Sequence, residues 1–397
     1  MSATTDLQAR FEAVLMPNYG TPPLALVRGE GRRVFDADGR AYLDLIAGIA
    51  VSALGHAHPA LVAAVADQAA AIAHTSNLFL HEREIELAER LVSLLDTGAG
   101  EARVFFANSG TEANEAALKL VKRAAGEGRT RIVATEDGFH GRTLGALSIT
   151  GKPAIRDPFG PHGTDVVFVP HGDADALHEA VDETCAAVVV EPVQGEAGVV
   201  PAPEGYLAEV RRICDAAGAA FVLDEIQSGI GRTGRWFAHQ AHGVTPDVLT
   251  LAKGLGGGLP IGACVGLGRY ATAFAKGDHG STFGGNPVAC AAALAVLDTI
   301  DGDNLLASAA ELGTLLEHEI TALDHPLLAG VRGSGLWLGI RLNDAASAGF
   351  QAAAAAHGFL VNALTPDTVR LAPPLTITRD EVLEFTAALP AILEEAR

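Results

Sequence analysis

Between residues 100 and 270 the chain alternates short apolar runs with stretches of helical spacing. The apolar runs fall at 103–106, 131–135, 145–149, 166–170, 186–190, 219–223, 248–252 and 261–267, and each is expected to be a strand. Helical spacing covers 112–123, 174–184 and 203–217, and in the first of these Ala113, Ala116, Ala117, Leu120 and Val121 form one apolar stripe. Nearly continuous apolar strands separated by helices imply an α/β protein with a mostly parallel central sheet, covered by helices on both faces. The ends read differently. Val34-Phe35 and Tyr42-Leu43 flank the turn at Asp36-Ala-Asp-Gly39. Residues 286–322 have helical spacing, followed by strand-like 336–342, an alanine-rich helix near 345–356, a strand at 368–371 and a closing helix from Arg379. The expected division is a large domain over 51–290 and a smaller α+β domain built from 1–50 together with 291–397.

Length and composition narrow the classes. A chain of 397 residues, 49% apolar and 19% charged, has ample material for a buried core and does not resemble a disordered chain. Its net charge of −20 argues against nucleic acid and acidic membranes as partners. Cys185, Cys214, Cys264 and Cys290 are far apart and lie in apolar or helical settings, so buried free thiols in a reducing compartment are expected. No apolar run is long enough to span a bilayer, and Met1-Ser-Ala-Thr-Thr-Asp6 has no signal-peptide pattern. The cytoplasm is the expected location. His56 and His58 lack a third nearby ligand and are read as loop and packing residues, so no metal is expected.

Lys253 stands out among five lysines. Lys119 and Lys122 sit on the polar side of a helix, and Lys152 and Lys276 adjoin Pro153 and Gly277 as loop residues. Lys253 instead ends an apolar strand and opens the run Gly254-Leu-Gly-Gly-Gly258. An amine in that setting can lose its proton and attack a carbonyl. The strand 219–223 ends in Asp224-Glu225-Ile226-Gln227, which places a carboxylate and a carboxamide beyond another strand's carboxyl end, where open α/β sheets bind ligands. A lysine able to form a Schiff base and an Asp facing a pyridinium nitrogen are what pyridoxal 5'-phosphate (PLP) requires. A strand-end Asp also serves as a helix cap or pairs with an arginine such as Arg232. Asn108-Ser-Gly-Thr111, at the start of a helix, offers an anion site through free N–H groups and the helix dipole.

Two other glycine patterns carry no nucleotide. Gly229 to Gly234 matches G-x-G-x-x-G by letter but stands away from its strand. Gly145 to Lys152 has one residue too many for a P-loop and Pro153 in place of Ser or Thr.

Together the segments resemble class III, ornithine-type aminotransferases of the fold type I PLP group. The motifs are Asn108-Ser-Gly-Thr-Glu-Ala-Asn114, Gly138-Phe-His-Gly-Arg142, Glu191-Pro-Val-Gln-Gly-Glu196, Asp224-Glu-Ile-Gln227, Lys253-Gly-Leu-Gly-Gly-Gly258 and His279-Gly-Ser-Thr-Phe-Gly-Gly-Asn286. The likeness runs from Asn18-Tyr19 to Arg370-Leu-Ala-Pro-Pro374. It implies that Lys253 holds PLP and shuttles a proton, and that Asp224 keeps the pyridine nitrogen protonated. Ser109, Gly110, Thr111, Phe139, His140 and Gln227 would complete the cofactor site, with Thr282 reaching the phosphate from the other subunit of a homodimer. Tyr19, Arg142, Glu196, Ser281 and Arg370 would meet substrate. Glu196 would pair with Arg370 while the amine donor is bound and release it for glutamate. The implied reaction moves the terminal amino group of N-acetylornithine to 2-oxoglutarate, giving N-acetylglutamate 5-semialdehyde and glutamate. Ile49 stands where ornithine-specific members carry a tyrosine, which weakens a free-ornithine assignment. Succinylornithine, succinyl-diaminopimelate and ornithine remain alternative donors, and a PLP aminomutase or a non-enzymatic binding protein of the same fold are further alternatives.

Overall fold

A computed structural model describes residues 2–95 and 101–396. Seven strands form the central sheet in the order Ala102–Ala107, Gly262–Leu267, Val248–Leu251, Ala220–Asp224, Cys185–Val190, Arg131–Thr135 and Val166–Val169. All run parallel except Gly262–Leu267, which pairs antiparallel with both neighbours. The three central strands Cys185–Val190, Ala220–Asp224 and Val248–Leu251 are buried at every position. That is why they read as continuous apolar runs rather than alternating ones.

Helices cover the sheet. Gly110–Ala125 buries the predicted stripe, and Asn114 and Leu118 with it. Tyr206–Ala217 ends at Gly218, whose left-handed backbone (φ 69°) closes the last turn. The helix expected at 174–184 stops at Ala180, because Val181 is already extended. One expected strand is wrong: 145–149 lies largely in the short helix Leu144–Ser148. The N–H groups of its second and third residues, Gly145 and Ala146, donate to Glu115 Oε1 at 2.8 and 3.1 Å, so a carboxylate on another helix caps it.

The segment 51–95 contributes two helices that the hydrophobic pattern did not assign, Pro59–Ala71 and Glu82–Leu94. The long helical region divides into Pro287–Gly302 and Leu305–Thr321, separated at Asn304 with φ 54°. The chain ends meet in a four-stranded sheet of Leu26–Glu30, Arg33–Asp36, Ala41–Asp44 and Phe359–Leu360. A second four-stranded sheet joins Leu328–Ser334, Trp337–Leu342, Thr368–Leu371 and Asn362–Thr365, and a two-stranded hairpin pairs Val193–Gln194 with Val200–Pro201. All four cysteines are buried and unpaired. No helix among the described residues is long and apolar enough to cross a membrane, and no group of three or more metal-ligating side chains occurs there.

Candidate active site

A cavity of about 380 Å³ opens at the carboxyl ends of the central strands. Ser109, Gly110, Thr111, Phe139, His140, Arg142, Glu196, Asp224, Gln227 and Lys253 all line it, as do Asn108 and Glu191. Two adjacent strands deliver its acid and its amine, since Asp224 ends one and Lys253 follows the other by two residues. Lys253 has a left-handed backbone, φ 44°, in the tight turn Lys253–Gly256. A side chain held in that region is locally strained, which is commonest at functional positions. Burial pulls the Lys253 amine down to about 8, with the Arg370 charge acting in the same direction and the nearby carboxylates opposing.

Asp224 is held from three sides. Its Oδ2 accepts from His140 Nδ1 at 2.7 Å and Asn114 Nδ2 at 2.8 Å, while Oδ1 accepts from the Ile226 N–H at 3.0 Å. Arg232 is not its partner, because that guanidinium donates to backbone carbonyls elsewhere. His140 is wholly buried. Burial works against a charged ring, but the hydrogen bond and charge of Asp224, helped by Glu191, outweigh it and raise the His140 pKa.

At the other end, the helix Gly110–Ala125 points its N-terminus into the cavity. Ser109 caps it: its Oγ accepts from Glu112 N–H at 3.3 Å and its carbonyl from Ala113 N–H at 3.0 Å. The N–H groups of Gly110 and Thr111 remain for an anion. The Thr111 hydroxyl accepts from the N–H groups of Arg142 and Thr143, both at 3.2 Å, fastening the Phe139–Arg142 loop over that helix end.

Glu196 lies in the turn of the two-stranded hairpin and faces the cavity. Its Oε1 accepts from Arg370 Nη1 at 2.7 Å. Burial would raise the Glu196 pKa, but the charge and hydrogen bond of Arg370 dominate and lower it. Arg370 is 2% exposed and stands behind Glu196, with Nη2 donating to Asn362 Oδ1 at 2.8 Å. Arg142 is exposed, its guanidinium carbon 5.7 Å from the Phe139 ring centroid. The structure does not bring Tyr19 into this cavity: 89% exposed, it shares an adjoining hollow with Arg142, Leu147 and Phe159. Ser281 accepts from Asn108 Nδ2 at 3.1 Å outside the cavity wall, and Thr282 is exposed.

Three residues were given no individual role on sequence grounds. Asn114 is buried at 1% exposure and uses its whole amide, donating to Asp224 and the His140 carbonyl and accepting from Thr250 Oγ1 at 2.9 Å. Glu191 Oε2 accepts the Phe139 N–H at 3.0 Å, and burial pushes its carboxyl up to about 7 against the pull of His140. Lys152, expected as an ordinary loop lysine, donates from Nζ to the Glu196 carbonyl at 2.7 Å. The only sequence signal for Asn114 and Glu191 was their place inside motifs whose other members carried the chemistry.

A strand-end amine, a clamped carboxylate and a helix N-terminus around one cavity are the parts that an enzyme with a phosphorylated Schiff-base cofactor requires. A family model described as aminotransferase class-III matches residues 15–393. The acetylornithine aminotransferase of Mycobacterium bovis is 55% identical over 396 residues, covering 100% of this chain and 98% of its own. Among solved structures, the ornithine aminotransferase of Toxoplasma gondii superposes with a TM-score of 0.94 at 30% identity, covering 100% of this chain and 97% of its own. An amine transaminase from an uncultivated Pseudomonas species, solved in its PLP-bound form, has a TM-score of 0.88 at 31% identity, covering 95% of this chain and 96% of its own. The chain belongs to the class III aminotransferases, a PLP-dependent family.

Proposed function

We propose that the protein moves the terminal amino group of N-acetylornithine to 2-oxoglutarate, using PLP held in the cavity around Lys253. The observation that carries the chemistry is the facing of Lys253 and Asp224 from adjacent strand ends, with the Gly110 helix terminus lining the same cavity. The choice of donor is supported by the 55% identical relative that bears the name acetylornithine aminotransferase.

The residues fit PLP. The Gln227 side-chain Nε2 and the His140 Nε2 are buried without a protein partner among the described residues, and Gly110 packs so closely on Ile226 that a Cβ would meet its Cδ1 at 2.8 Å. When bound, PLP supplies an electron sink for the carbon that loses its proton. Ser109, Gly110 and Thr111 would hold its phosphate, Phe139 would pack on its ring, and Gln227 would donate to its hydroxyl. Asp224, oriented by His140 and Asn114, would keep the proton on its ring nitrogen. Lys253, its pKa lowered by burial, would be the amine that holds the group with loss of water, and once displaced by the substrate amine its Nζ would hold and move the proton at the reacting carbon.

Arg142 grips the carboxylate of the donor, with Tyr19 beside it. Glu196 shields Arg370 in that half-reaction and releases it for the glutamate α-carboxylate in the other. We further assign a cytoplasmic homodimer in which Ser281 and Thr282 serve the neighbouring site. Exposed Leu78, Phe79, Leu80 and Phe283 support an apolar contact surface, and four buried free thiols suit a reducing compartment.

The test is kcat/KM compared across N-acetylornithine, ornithine, N-succinylornithine and 4-aminobutyrate, each with 2-oxoglutarate. N-acetylornithine should lead; a clear preference for another amine would move the assignment to it. Glutamate alone should also bleach the visible cofactor band, which an aminomutase without an external amino acceptor would not show.

A further inference from the structure

We infer that Arg232 is the positioning residue of the carboxylate gate, a buried guanidinium that fixes where Arg370 stands relative to Asp224 and Gln227. The inference rests on the reading of Arg370 as the glutamate-carboxylate site. It accounts for the glycine-rich stretch from Gly229 to Gly234, which begins two residues after Gln227. Gly231 (φ 85°) and Gly234 (φ 83°) need the left-handed region, and their neighbours leave no room for a side chain. A Cβ on Gly231 would meet Leu375 Cδ1 at 2.9 Å, and one on Gly234 would meet Ala310 Cβ at 2.9 Å. The glycines thus press the loop against the helix Leu305–Thr321 and the segment after Arg370, with Arg232 between them.

Arg232 is 2% exposed, and no carboxylate pairs with it among the described residues. Burial accordingly pulls its pKa down to about 9. For stability alone, an unanswered buried charge is a liability that an apolar side chain would avoid. What the guanidinium contributes is placement. Its Nη1 donates to the Leu336 carbonyl at 3.0 Å and to the Pro373 carbonyl at 2.6 Å, while its own backbone carbonyl accepts from the Leu336 N–H at 3.2 Å. Leu336 immediately precedes the strand Trp337–Leu342, and Pro373 follows Thr368–Leu371 by two residues. Those strands pair with Gly339 opposite Arg370. One nitrogen therefore ties down the near ends of both strands that present Arg370, from a loop that starts eight residues earlier at Asp224. Even the hairpin turn is shaped to it, since Gly335 (φ 56°) passes so close that a Cβ would meet the Arg232 carbonyl oxygen at 2.7 Å.

The test is Arg232→Met in the holoenzyme, which keeps much of the volume and removes both charge and donors. Three quantities are read: the two half-reactions separately by visible absorbance, the Kd of glutarate as an unreactive dicarboxylate, and Tm. The KM for glutamate and the Kd of glutarate should rise about tenfold, with kcat and the N-acetylornithine half-reaction within about twofold, as expected for a displaced charge-assisted contact. Tm should fall modestly, because the Leu336 and Pro373 carbonyls lose their buried donor. Equal losses in both half-reactions, or an unchanged glutarate Kd, would overturn the inference. If the Met variant does not fold, Arg232→Lys should show the same split in smaller measure, and equal losses there count against it equally. Arg370→Lys serves as the control. If it leaves glutarate binding intact, the gate reading itself fails; if it weakens glutarate while Arg232→Met does not, only the role of Arg232 falls.

Discussion

Glu196 and Arg370 form a closed pair, 2.7 Å apart, in which the carboxylate faces the cavity and the arginine is buried behind it. On the proposed reading, an anionic substrate group would reach Arg370 only once Glu196 turns away. Replacing Glu196 with Ala should therefore favour glutamate and penalise N-acetylornithine. Replacing Arg370 with Ala should do the reverse, at a cost to the glutamate half-reaction of about 2–5 kcal/mol, the range for truncating one partner of a buried charge pair. Stopped-flow traces of each half-reaction in both variants decide this. Equal damage to both halves would mean that the pair only holds the site together.

The lowered pKa of Lys253 sets a pH profile for cofactor uptake. The neutral amine is the nucleophile, so the rate at which apoenzyme captures PLP should rise with pH and level off above about 8, rather than climbing to about 10.5 as for a free lysine. Rapid-mixing absorbance between pH 6 and 10.5 measures it, and borohydride should then fix the cofactor on Lys253. A label on any other lysine would end the assignment.

Which parts were legible follows from the range of the forces involved. The central strands Cys185–Val190, Ala220–Asp224 and Val248–Leu251 are buried on both faces, so their composition alone announces them. Lys253, Asp224 and the Ser109 cap were visible because each stands where an apolar run gives way to a polar or glycine-rich turn. The helix Leu144–Ser148 was not, because its cap is Glu115, thirty residues away, and a run of Leu-Gly-Ala-Leu-Ser suits either period. Asn114 and Lys152 escaped for the same reason. Their partners, Asp224 and the Glu196 carbonyl, are distant in sequence and adjacent only in the fold.

Asp224→Asn should keep the fold and lose about a hundredfold or more in kcat, since preorganised charge at the ring nitrogen is removed. An amide at that position also loses its match to His140, whose raised pKa depends on the Asp224 carboxylate. The visible band of the bound cofactor should shift as the ring nitrogen loses its proton. Near-normal turnover would make Asp224 a structural partner of His140 and Asn114 and nothing more.

Gly195, next to Glu196, lies against the Gln227 carboxamide and the Trp337 ring. A Cβ at Gly195 would overlap Gln227 Oε1 and approach Trp337 Cζ2 at 2.9 Å. Trp337 is fully buried and cannot retreat, whereas the Gln227 amide nitrogen has no protein partner among the described residues and can rotate. Gly195→Ala should therefore displace Gln227 rather than the tryptophan, with an overpacking cost of about 1–3 kcal/mol. Two signals should move together: the cofactor absorption, through the lost hydrogen bond to the ring hydroxyl, and the KM for glutamate, through a shifted Glu196 turn. A Gly195→Ala, Gln227→Ala double variant relieves the overlap and should recover the glutamate KM while leaving the absorption perturbed. If the double variant binds glutamate no better than Gly195→Ala alone, the overlap with Gln227 is not what disturbs the gate.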